Sequence, residues 1–260
     1  MNEQLSLRER KKQATRTLLM DTALSLFEER GFENVSVAEV AEAAEVSKAT
    51  VFNYFPTKED LVLAGAKHHI GEAAQIVRDR PVGQTPHGAL RQYHMEMLRN
   101  REPLTGLSDN PVVMRVHRVV RRSPDLVLKA MDIRRRSAEL VAQALIEEGS
   151  PELTARLAAA QLMHAQHILS QLNVHRVNAG ESPEAIYPDA VAAAEHAFQL
   201  LEHGIGDFMR REAEPSGAAD AAFHEDPDAA YGHDAHRAVE RALHEAADEV
   251  CERLADPDRR

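Results

Sequence analysis

The stretch that decides the fold is residues 16–61, which read RTLLMDTALSLFEERGFENVSVAEVAEAAEVSKATVFNYFPTKEDL. Its first half has apolar residues at steps of three and four, the spacing of one face of an α-helix. Gly31 is typical of the residue that ends a helix. Ser36 with Glu39 has the S-x-x-E pattern of a capping box, and Ser47 is a good N-cap. The stretch is therefore predicted to form one long helix followed by two short ones.

Three helices are predicted in this part of the chain. They run from Ser6 or Arg10 to Arg30, from Val37 to about Ala44, and from Lys48 to Tyr54, just before Pro56. Two short helices joined by a tight turn are the arrangement that places the second of them in a DNA major groove. The third helix is therefore a candidate recognition helix, and the spacing of Val51 and Phe55 assigns both side chains to the core.

The same stretch resembles the DNA-binding domain of TetR-family transcriptional regulators. In that family a helix ends in an aromatic residue and R-G-[FY], and a Ser- or Thr-capped helix follows. The motif V-S-x-x-T-x-[FY]-x-Y-F-x-[ST]-K-x-x-L comes next. The residues in register with this pattern are Phe27, Arg30, Gly31, Phe32, Ser36, Val46, Ser47, Thr50, Phe52, Tyr54, Phe55, Lys58 and Leu61. The resemblance implies an all-α protein with a three-helix DNA-binding domain before a larger helical domain that binds a ligand and dimerises.

Two positions depart from the family pattern. The family usually has glycine where Glu45 stands, in the turn between the two short helices, and often has glycine where Ala49 stands. A glutamate adopts a positive φ at a cost of about 1 kcal/mol, so we expect a slightly reshaped turn. Ala49 adds a methyl group to the surface that faces the groove, where it can contact a thymine methyl.

The candidate DNA contacts follow from the position of the third helix and from the resemblance. Candidates for base edges and nearby phosphates are Ser47, Lys48, Ala49, Thr50 and Asn53. Phe52 and Tyr54 occupy positions that often meet the DNA backbone in the family. Lys58 and Ser36, each in the first turn of a helix, are expected to grip phosphates. A basic cluster follows a phosphate strand or enters the minor groove, or else is a solvated helix start; its members are Arg8, Arg10, Lys11, Lys12 and Arg16.

Helical periodicity continues through the rest of the chain, so the fold class is all-α. Further helices are predicted from the Thr57–Asp60 cap to about Asp79 and over 86–102, 109–121, 125–148, 152–178 and 188–212, with Pro188 in the first turn of the last. Three regions follow: a helix-turn-helix domain at 1–60, a ligand-binding and dimerisation domain at 61–212, and an acidic linker with a terminal amphipathic helix at 213–260.

The charge of the chain at first argues against a DNA partner. There are 31 Lys and Arg against 42 Asp and Glu, a formal net charge of -11. The excess is unevenly distributed: residues 1–60 have 8 basic and 11 acidic side chains, and residues 213–260 have 5 and 13. Most of the negative charge therefore lies in the last segment, away from the predicted recognition helix.

Composition excludes several classes of protein. With 43% hydrophobic and 28% charged residues the chain has enough apolar side chains for a buried core. The single cysteine, Cys251, excludes an internal disulfide framework and suits a reducing compartment. No apolar run approaches the roughly 20 residues that span a bilayer, and the first residues lack the apolar stretch of a signal peptide. We therefore expect a cytoplasmic protein with no membrane partner.

The larger domain is expected to provide the dimer interface and a pocket for a small-molecule effector. Candidate interface residues on its last two helices are Leu157, Ala160, Met163 or His164, Ile168, Val191, Ala194, Phe198, Leu201, Ile205 and Phe208, with intramolecular core as the alternative. Candidates for the pocket wall are Tyr93, His94, Met97, Leu98, Met114, His117, Val141 and Leu145. Groups of arginines at 118–122 and 134–136 favour an acidic ligand, unless they are solvated faces.

The sequence predicts a homodimeric repressor that leaves a palindromic operator when its effector binds. An activator or a ligand-independent regulator of the same fold remains an alternative. So does a helical enzyme or metal-dependent protein, since His164 and His167, and likewise His233 and His236, lie at i, i+3. Against that class, no nucleophile elbow, phosphate loop, HExxH or paired-carboxylate motif is present. We expect no catalytic residues, no metal and no cofactor.

Overall fold

The computed structural model describes residues 6–203, without the side chain of His203, and these residues form α-helices and no strand. The all-α fold class is thereby confirmed for this range. Its helices are α1 Leu7–Arg30, α2 Val37–Ala43, α3 Lys48–Tyr54, α4 Asp60–His68, α5 Glu72–Asp79, α6 Pro86–Arg99, α7 Pro111–Arg122, α8 Pro124–Glu147, α9 Glu152–Asn178 and α10 Pro183–His203, with a 3₁₀ turn at Pro103–Thr105. Within this range no helix is long and apolar enough to cross a membrane.

The first three helices begin and end where their sequence signals predict. Ser36 and Glu39 form the expected capping box at the start of α2, and the Ser47 hydroxyl accepts a hydrogen bond from the Thr50 amide at the start of α3. Gly31, with φ 85°, follows the last residue of α1 and donates its N–H to the carbonyl of Phe27. These confirmed caps satisfy backbone groups that a helix terminus leaves unpaired, so local sequence is enough to fix the boundaries.

A first apolar core joins the N-terminal helices to the helices that follow. Phe27, Val51 and Phe55 are almost completely buried in it, which confirms the core positions predicted for the latter two. Val119 of α7 and Leu126 of α8 complete the same cluster. Helices from well beyond residue 60 therefore support the back of α3.

The helix predicted from the Thr57–Asp60 cap to about Asp79 is two helices. The cap itself forms, because the Thr57 amide donates to the Asp60 carboxylate and the Asp60 amide donates to the Thr57 hydroxyl. The chain then breaks after α4, and α5 begins at Glu72 with Gly71 as its N-cap. Glycine disfavours a helix interior by about 1 kcal/mol relative to alanine. In addition, the ion pair of His69 with Glu72, at 2.7 Å, bridges the break.

The last predicted helix starts earlier than expected. Its first residue is Pro183, preceded by Ser182, whose hydroxyl accepts a hydrogen bond from the Ala185 amide. Pro188 therefore lies inside α10 rather than in its first turn. Proline at Pro183 already satisfies the preference for the first helical position, so the second proline was mistaken for the start. The predicted continuation to residue 212, and the linker and helix at 213–260, lie outside the described residues.

Helices α6 to α10 enclose two further apolar clusters. One is built around Leu90, Val141 and Phe198, and the other around Leu98, Leu169 and Ile186. The turn after α6 packs closely on α9: the Asn173 side-chain amide donates to the carbonyl of Thr105 at 2.8 Å. This contact fixes the path of the chain between α6 and α7.

Candidate nucleic-acid interface

Helix α3 exposes one continuous face. Lys48, Ala49, Phe52 and Asn53 are exposed on it, because these positions are one and four residues apart and so share one side of a helix. The opposite side is anchored in the core by Val51, which is fully buried. The predicted base-contacting residues are therefore brought together on one surface, with Ser47 exposed at its N-terminal end.

The hydroxyls at the start of α3 are paired with each other. Ser47 Oγ and Thr50 Oγ1 lie 2.8 Å apart, and Ser47 Oγ also accepts the N–H of Thr50 at 3.0 Å. Each hydroxyl has both a donor and acceptor capacity, so this pairing leaves sites for a base edge or a phosphate. The contact holds the half-buried Thr50 side chain at the N-terminal end of the exposed face.

The exposed face carries a positive charge above an aromatic ring. The Lys48 ammonium lies 5.8 Å from the centroid of the Phe52 ring, a distance at which a cation is attracted to the ring face. Phe52 is 41% exposed. The ring therefore positions the ammonium and offers apolar packing, whereas Tyr54, two residues further along, is half-buried.

The turn between α2 and α3 has the strain that its sequence predicts. Glu45 has φ 54°, in the left-handed region that glycine adopts most easily. Its exposed carboxylate stands beside the N-terminal end of α3. The departure from the family glycine is thus accommodated in the backbone conformation that glycine would use.

Ser36 is less available for a phosphate than its sequence position predicts. Its hydroxyl donates to Glu39 Oε2 at 2.7 Å, and its backbone amide donates to the same atom at 2.8 Å. These bonds, with a further one from Arg30, lower the pKa of Glu39 to about 2. A permanent carboxylate at the start of α2 repels a phosphate there, so the sequence argument overlooked the effect of the capping box on an anion.

Lys58 is directed into the protein rather than away from it. Its ammonium donates to the carbonyl of Phe32 and lies 4.1 Å from the centroid of the Phe32 ring. Burial lowers the pKa of Lys58, while nearby carboxylates, of which Glu33 has the largest effect, oppose that shift. The charge expected to grip a phosphate therefore also stabilises the junction between α1 and α2.

The basic cluster of α1 divides into two parts. Arg8, Arg10, Lys11 and Lys12 are exposed on the first turns of the helix, whose start is capped by Ser6 and Glu9. Arg16 is different, because its guanidinium lies 4.6 Å from the centroid of the Phe55 ring and donates to the carbonyl of Tyr54. Four basic side chains are thus free to meet a duplex, and the fifth holds the C-terminal end of α3.

The comparisons with known proteins agree on this part of the chain. The sequence profile described as "Bacterial regulatory proteins, tetR family" matches residues 19–64. The chain belongs to the TetR family. The match spans α1 to α4, and so includes all of the exposed face of α3 and the turn at Glu45.

Named TetR-family relatives are similar over part of their length. The HTH-type transcriptional regulator TcmR of Streptomyces glaucescens is 33% identical over 135 residues, which are 52% of this chain and 58% of that protein. The HTH-type transcriptional regulator LuxR of Vibrio harveyi is 46% identical over 61 residues, 24% of this chain and 30% of that protein. The chain therefore spans less than two thirds of the length of either relative. The solved structure of NalD, the secondary repressor of the MexAB-OprM multidrug efflux pump in Pseudomonas aeruginosa, has 19% identity and a TM-score of 0.49, over 74% of this chain and 97% of that one.

The predicted pocket residues of this TetR-family protein do not line one space. Val141 and Leu145 are buried in the cluster around Phe198, whereas Met114 packs on the cluster around Leu98. Tyr93 donates its hydroxyl to Glu72 at 2.7 Å, which together with burial raises its pKa. His117 is half-buried, and burial lowers its pKa. His94 and Met97 are buried on α6.

An open cleft lies elsewhere, along the outer side of α6. It is lined by Gln84, Gly88, Arg91, Gln92, Met95, Glu96, Arg99 and Glu195. Arg91 and Glu195 form an ion pair of 3.0 Å across it. None of the predicted pocket residues belongs to this cleft, and its lining is mostly polar, in contrast to the apolar walls of most effector pockets.

Two of the predicted interface residues are wrong. Ala194 and Phe198 are completely buried within the single chain, and the Phe198 carbonyl lies 2.8 Å from the His87 ring nitrogen Nε2. They cannot contact a second subunit, because α10 uses this face to pack on α6. Leu157, Ala160 and His164 are exposed as an interface requires, and Ile205 and Phe208 lie outside the described residues.

The sequence gave no sign of a bridge between α1 and α7. Glu28 of α1 accepts a hydrogen bond from Arg115 at 2.6 Å and one from Arg118 at 3.0 Å. Arg122 adds a bond to the Glu28 carbonyl at 3.2 Å. Burial alone would raise the pKa of Glu28, but the bonds from both arginines lower it below its usual value. The partners are about 90 residues apart in the chain, so no local pattern connects them.

Proposed function

We propose that this chain is a homodimeric transcriptional repressor that binds a palindromic DNA operator and leaves it when a small-molecule effector binds. The observation that carries the proposal is the exposed face of α3, which falls inside the segment that matches the TetR family. A helix presented in this way enters a major groove and reads base edges with three or four side chains. Such a protein acts in the cytoplasm, where the operator is.

Dimerisation is part of the proposal because a palindromic operator needs two recognition helices related by a two-fold axis. The described part of α9 offers a surface for it. Leu153 is 72% exposed and Leu157 is 53% exposed, with Ala160 and His164 following on the same side. Steps of four, three and four residues make one continuous stripe along a helix. A second copy packed on this stripe would remove the two leucines from water.

The bridge at Glu28 suggests how an effector in the larger domain acts on α3. Arg115 and Arg118 of α7 are bonded to α1, and the first apolar core contains side chains of both helices. A shift of α7 is therefore transmitted to α1 and, through the shared core, to α3. The effector changes DNA affinity only by the ratio of its affinities for the two arrangements.

An activator or a ligand-independent regulator would use the same DNA contacts. The two alternatives differ from the proposed repressor in a reporter assay. A promoter that carries the operator should be silenced by this chain, and silencing should be relieved by extracts that contain the effector. Silencing that no compound relieves would favour the ligand-independent alternative, and increased transcription would favour an activator.

The direct test begins with selection of the DNA fragments that the purified chain binds from a genomic library, followed by gel shifts on the selected operator. Lys48→Ala and Thr50→Ala should each weaken operator binding by about tenfold or more, as expected when a base or phosphate contact is lost. Lys129→Ala, which changes an exposed lysine of α8, is the matched control and should bind as the wild type does.

Size-exclusion chromatography with light scattering should find the same dimer for all three variants. Unchanged operator affinity of both α3 variants would exclude α3 as the recognition helix. A monomeric wild-type chain that still binds a palindrome tightly would exclude the dimeric part of the proposal.

A further inference from the structure

Arg134 of α8 is a half-buried cation that has no anionic partner. Other arginines with restricted exposure are paired, such as Arg80 with Glu148, Arg115 with Glu28 and Arg176 with Glu181. Within residues 6–203, no hydrogen bond or ion pair joins Arg134 to a carboxylate, and its pKa is lowered by burial with no opposing effect of an acid. Its charge is therefore desolvated and uncompensated.

Two histidines of α9 lie near this arginine. α8 and α9 form the largest helix-to-helix contact in the described part of the chain. The rings of His164 and His167 are 6.1 Å apart. The pKa of half-buried His167 is lowered to about 4, first by burial and then by Arg134 and His164. All the charged groups that act on His167 are thus basic, and the site attracts anions.

A donor without an acceptor adjoins the histidines. The side-chain Nε2 of Gln166 is buried and has no hydrogen-bond partner among the described residues. A buried donor that is left unpaired is unfavourable, and such groups mark places where a ligand or water completes the bonding. A metal ion fits the site poorly, because a guanidinium repels it and no cluster of three His, Cys, Asp or Glu side chains exists within residues 6–203.

We propose that Arg134, together with His164 and His167, binds the anionic head group of the effector, a carboxylate or a phosphate. The inference rests on the proposed function, because it names the chemical class of the effector that the repressor would recognise. Arg134 supplies a planar pair of donors that matches the oxygens of either group, and each neutral imidazole supplies an N–H. The effector is therefore a small organic acid or phosphate ester rather than a neutral or cationic compound.

An uncompensated arginine in this position has a cost that a ligand would remove. A buried charge without a partner destabilises a folded protein, and an apolar or neutral side chain in its place is often more stable. If Arg134 were only structural, its replacement would lower stability. If it serves a ligand, replacement leaves the free protein as stable as before or more stable, and only binding is lost.

The test uses the full chain and three probes with the same apolar tail, namely octanoate, octyl phosphate and 1-octanol, measured by isothermal titration calorimetry at pH 7. At least one of the two anions should bind about tenfold or more tightly than the alcohol, and the stronger anion distinguishes a carboxylate site from a phosphate site. Arg134→Gln should weaken that anion about tenfold or more, and Arg134→Lys should restore part of the affinity. Arg136→Gln, a change of an exposed arginine on the same helix, should have no effect.

Four results would overturn the inference. They are equal binding of octanol and both anions, no measurable binding of either anion, equal binding by Arg134→Gln and Arg136→Gln, and a lower melting temperature or a lost dimer in Arg134→Gln without ligand. Gel shifts separate this inference from the proposed function. Arg134→Gln should bind the operator as the wild type does without a probe. Absence of operator binding by the wild type would count against the proposed function while the anion titrations decide this inference by themselves.

Discussion

His94 combines complete burial with a polar ring that has no partner. It is 1% exposed on α6, its ring lies 5.9 Å from that of Phe198, and neither ring nitrogen has a hydrogen-bond partner within the described residues. Burial lowers its pKa from 6.5 to about 4, because the charged form is disfavoured away from water. The folded protein therefore holds this ring neutral at pH values where the unfolded chain protonates it.

This shift predicts a pH-dependent loss of stability. A histidine with a lowered folded-state pKa gives its full contribution above pH 6.5, and the contribution is lost as pH falls towards 4. From pH 7 to pH 5, His94 should reduce the free energy of unfolding by about 2 kcal/mol, given its shift from 6.5 to about 4. In His94→Leu that part of the pH dependence should disappear. Urea titrations of both proteins at pH 7, 6 and 5 measure it, and parallel pH profiles would contradict the prediction.

Single residues also show where local sequence is informative. The positive φ of Glu45 and the capping box of Ser36 with Glu39 follow from neighbours within a few positions. The contact of Lys58 with the Phe32 carbonyl joins residues 26 positions apart, so the same lysine looked like a free phosphate ligand. A side chain's position in a motif is thus readable from sequence, but the direction in which it points depends on the rest of the fold.

At the scale of elements, the contact between the 3₁₀ turn and α9 depends on one glycine. Gly106 has φ 72°, and a Cβ at this position would collide with the carbonyl oxygen of Ser170. Gly106→Ala should therefore lower the free energy of unfolding by roughly 2–4 kcal/mol, through backbone strain and overpacking together.

Gly149→Ala is the matched control for this change. Gly149 has φ 95° between α8 and α9, but a Cβ there meets nothing within 4 Å. It should show the backbone strain alone, about 1–2 kcal/mol. Chemical denaturation of both variants measures the difference, and equal losses would mean that the turn moves away from α9 without cost.

The bridge between α1 and α7 predicts a coupling of stability and effector response. Glu28→Gln removes a carboxylate that is 25% exposed and accepts bonds from Arg115 and Arg118. We expect a loss of about 1 kcal/mol at pH 7. Because the pKa of Glu28 is lowered in the folded state, the contribution is present above its unfolded value and lost as pH falls below it.

Glu29→Gln, a change of the adjacent exposed carboxylate, is the control for the bridge. Urea denaturation compares the two stabilities, and a promoter reporter compares the responses to inducing extract. The Glu28 variant should respond less at the same extract dose. If it is as stable and as responsive as the Glu29 variant, the bridge transmits nothing.

At the scale of the whole molecule, charge is distributed so that the net value misleads. Residues 213–260 contain 5 basic and 13 acidic side chains, whereas the exposed basic residues at the start of α1 lie on the candidate DNA surface. Deletion of residues 213–260 should leave the dimer intact and strengthen operator binding at low salt, because it removes negative charge that repels DNA.

Salt titrations of operator affinity test this electrostatic prediction. For the full chain, the logarithm of the binding constant should fall steeply and linearly with the logarithm of salt concentration, as phosphate neutralisation requires. The effect of the deletion should shrink as salt rises. Unchanged affinity after deletion at low salt would exclude competition by the acidic segment, and a shallow salt dependence would exclude the α1 cluster as a phosphate contact.

The sequence alone determined the helical class, the caps of the first helices and the candidate recognition face, because helix periodicity, capping and turn conformation depend on residues within a few positions of one another. Only the tertiary structure decided that α10 faces inward at Phe198, that Glu28 joins α7 and that Arg134 lies half-buried without a carboxylate. These features depend on which helices meet, and that is fixed by the packing of apolar faces far apart in the chain. Since many pairings of amphipathic helices satisfy the same periodicity, the sequence pattern does not select among them.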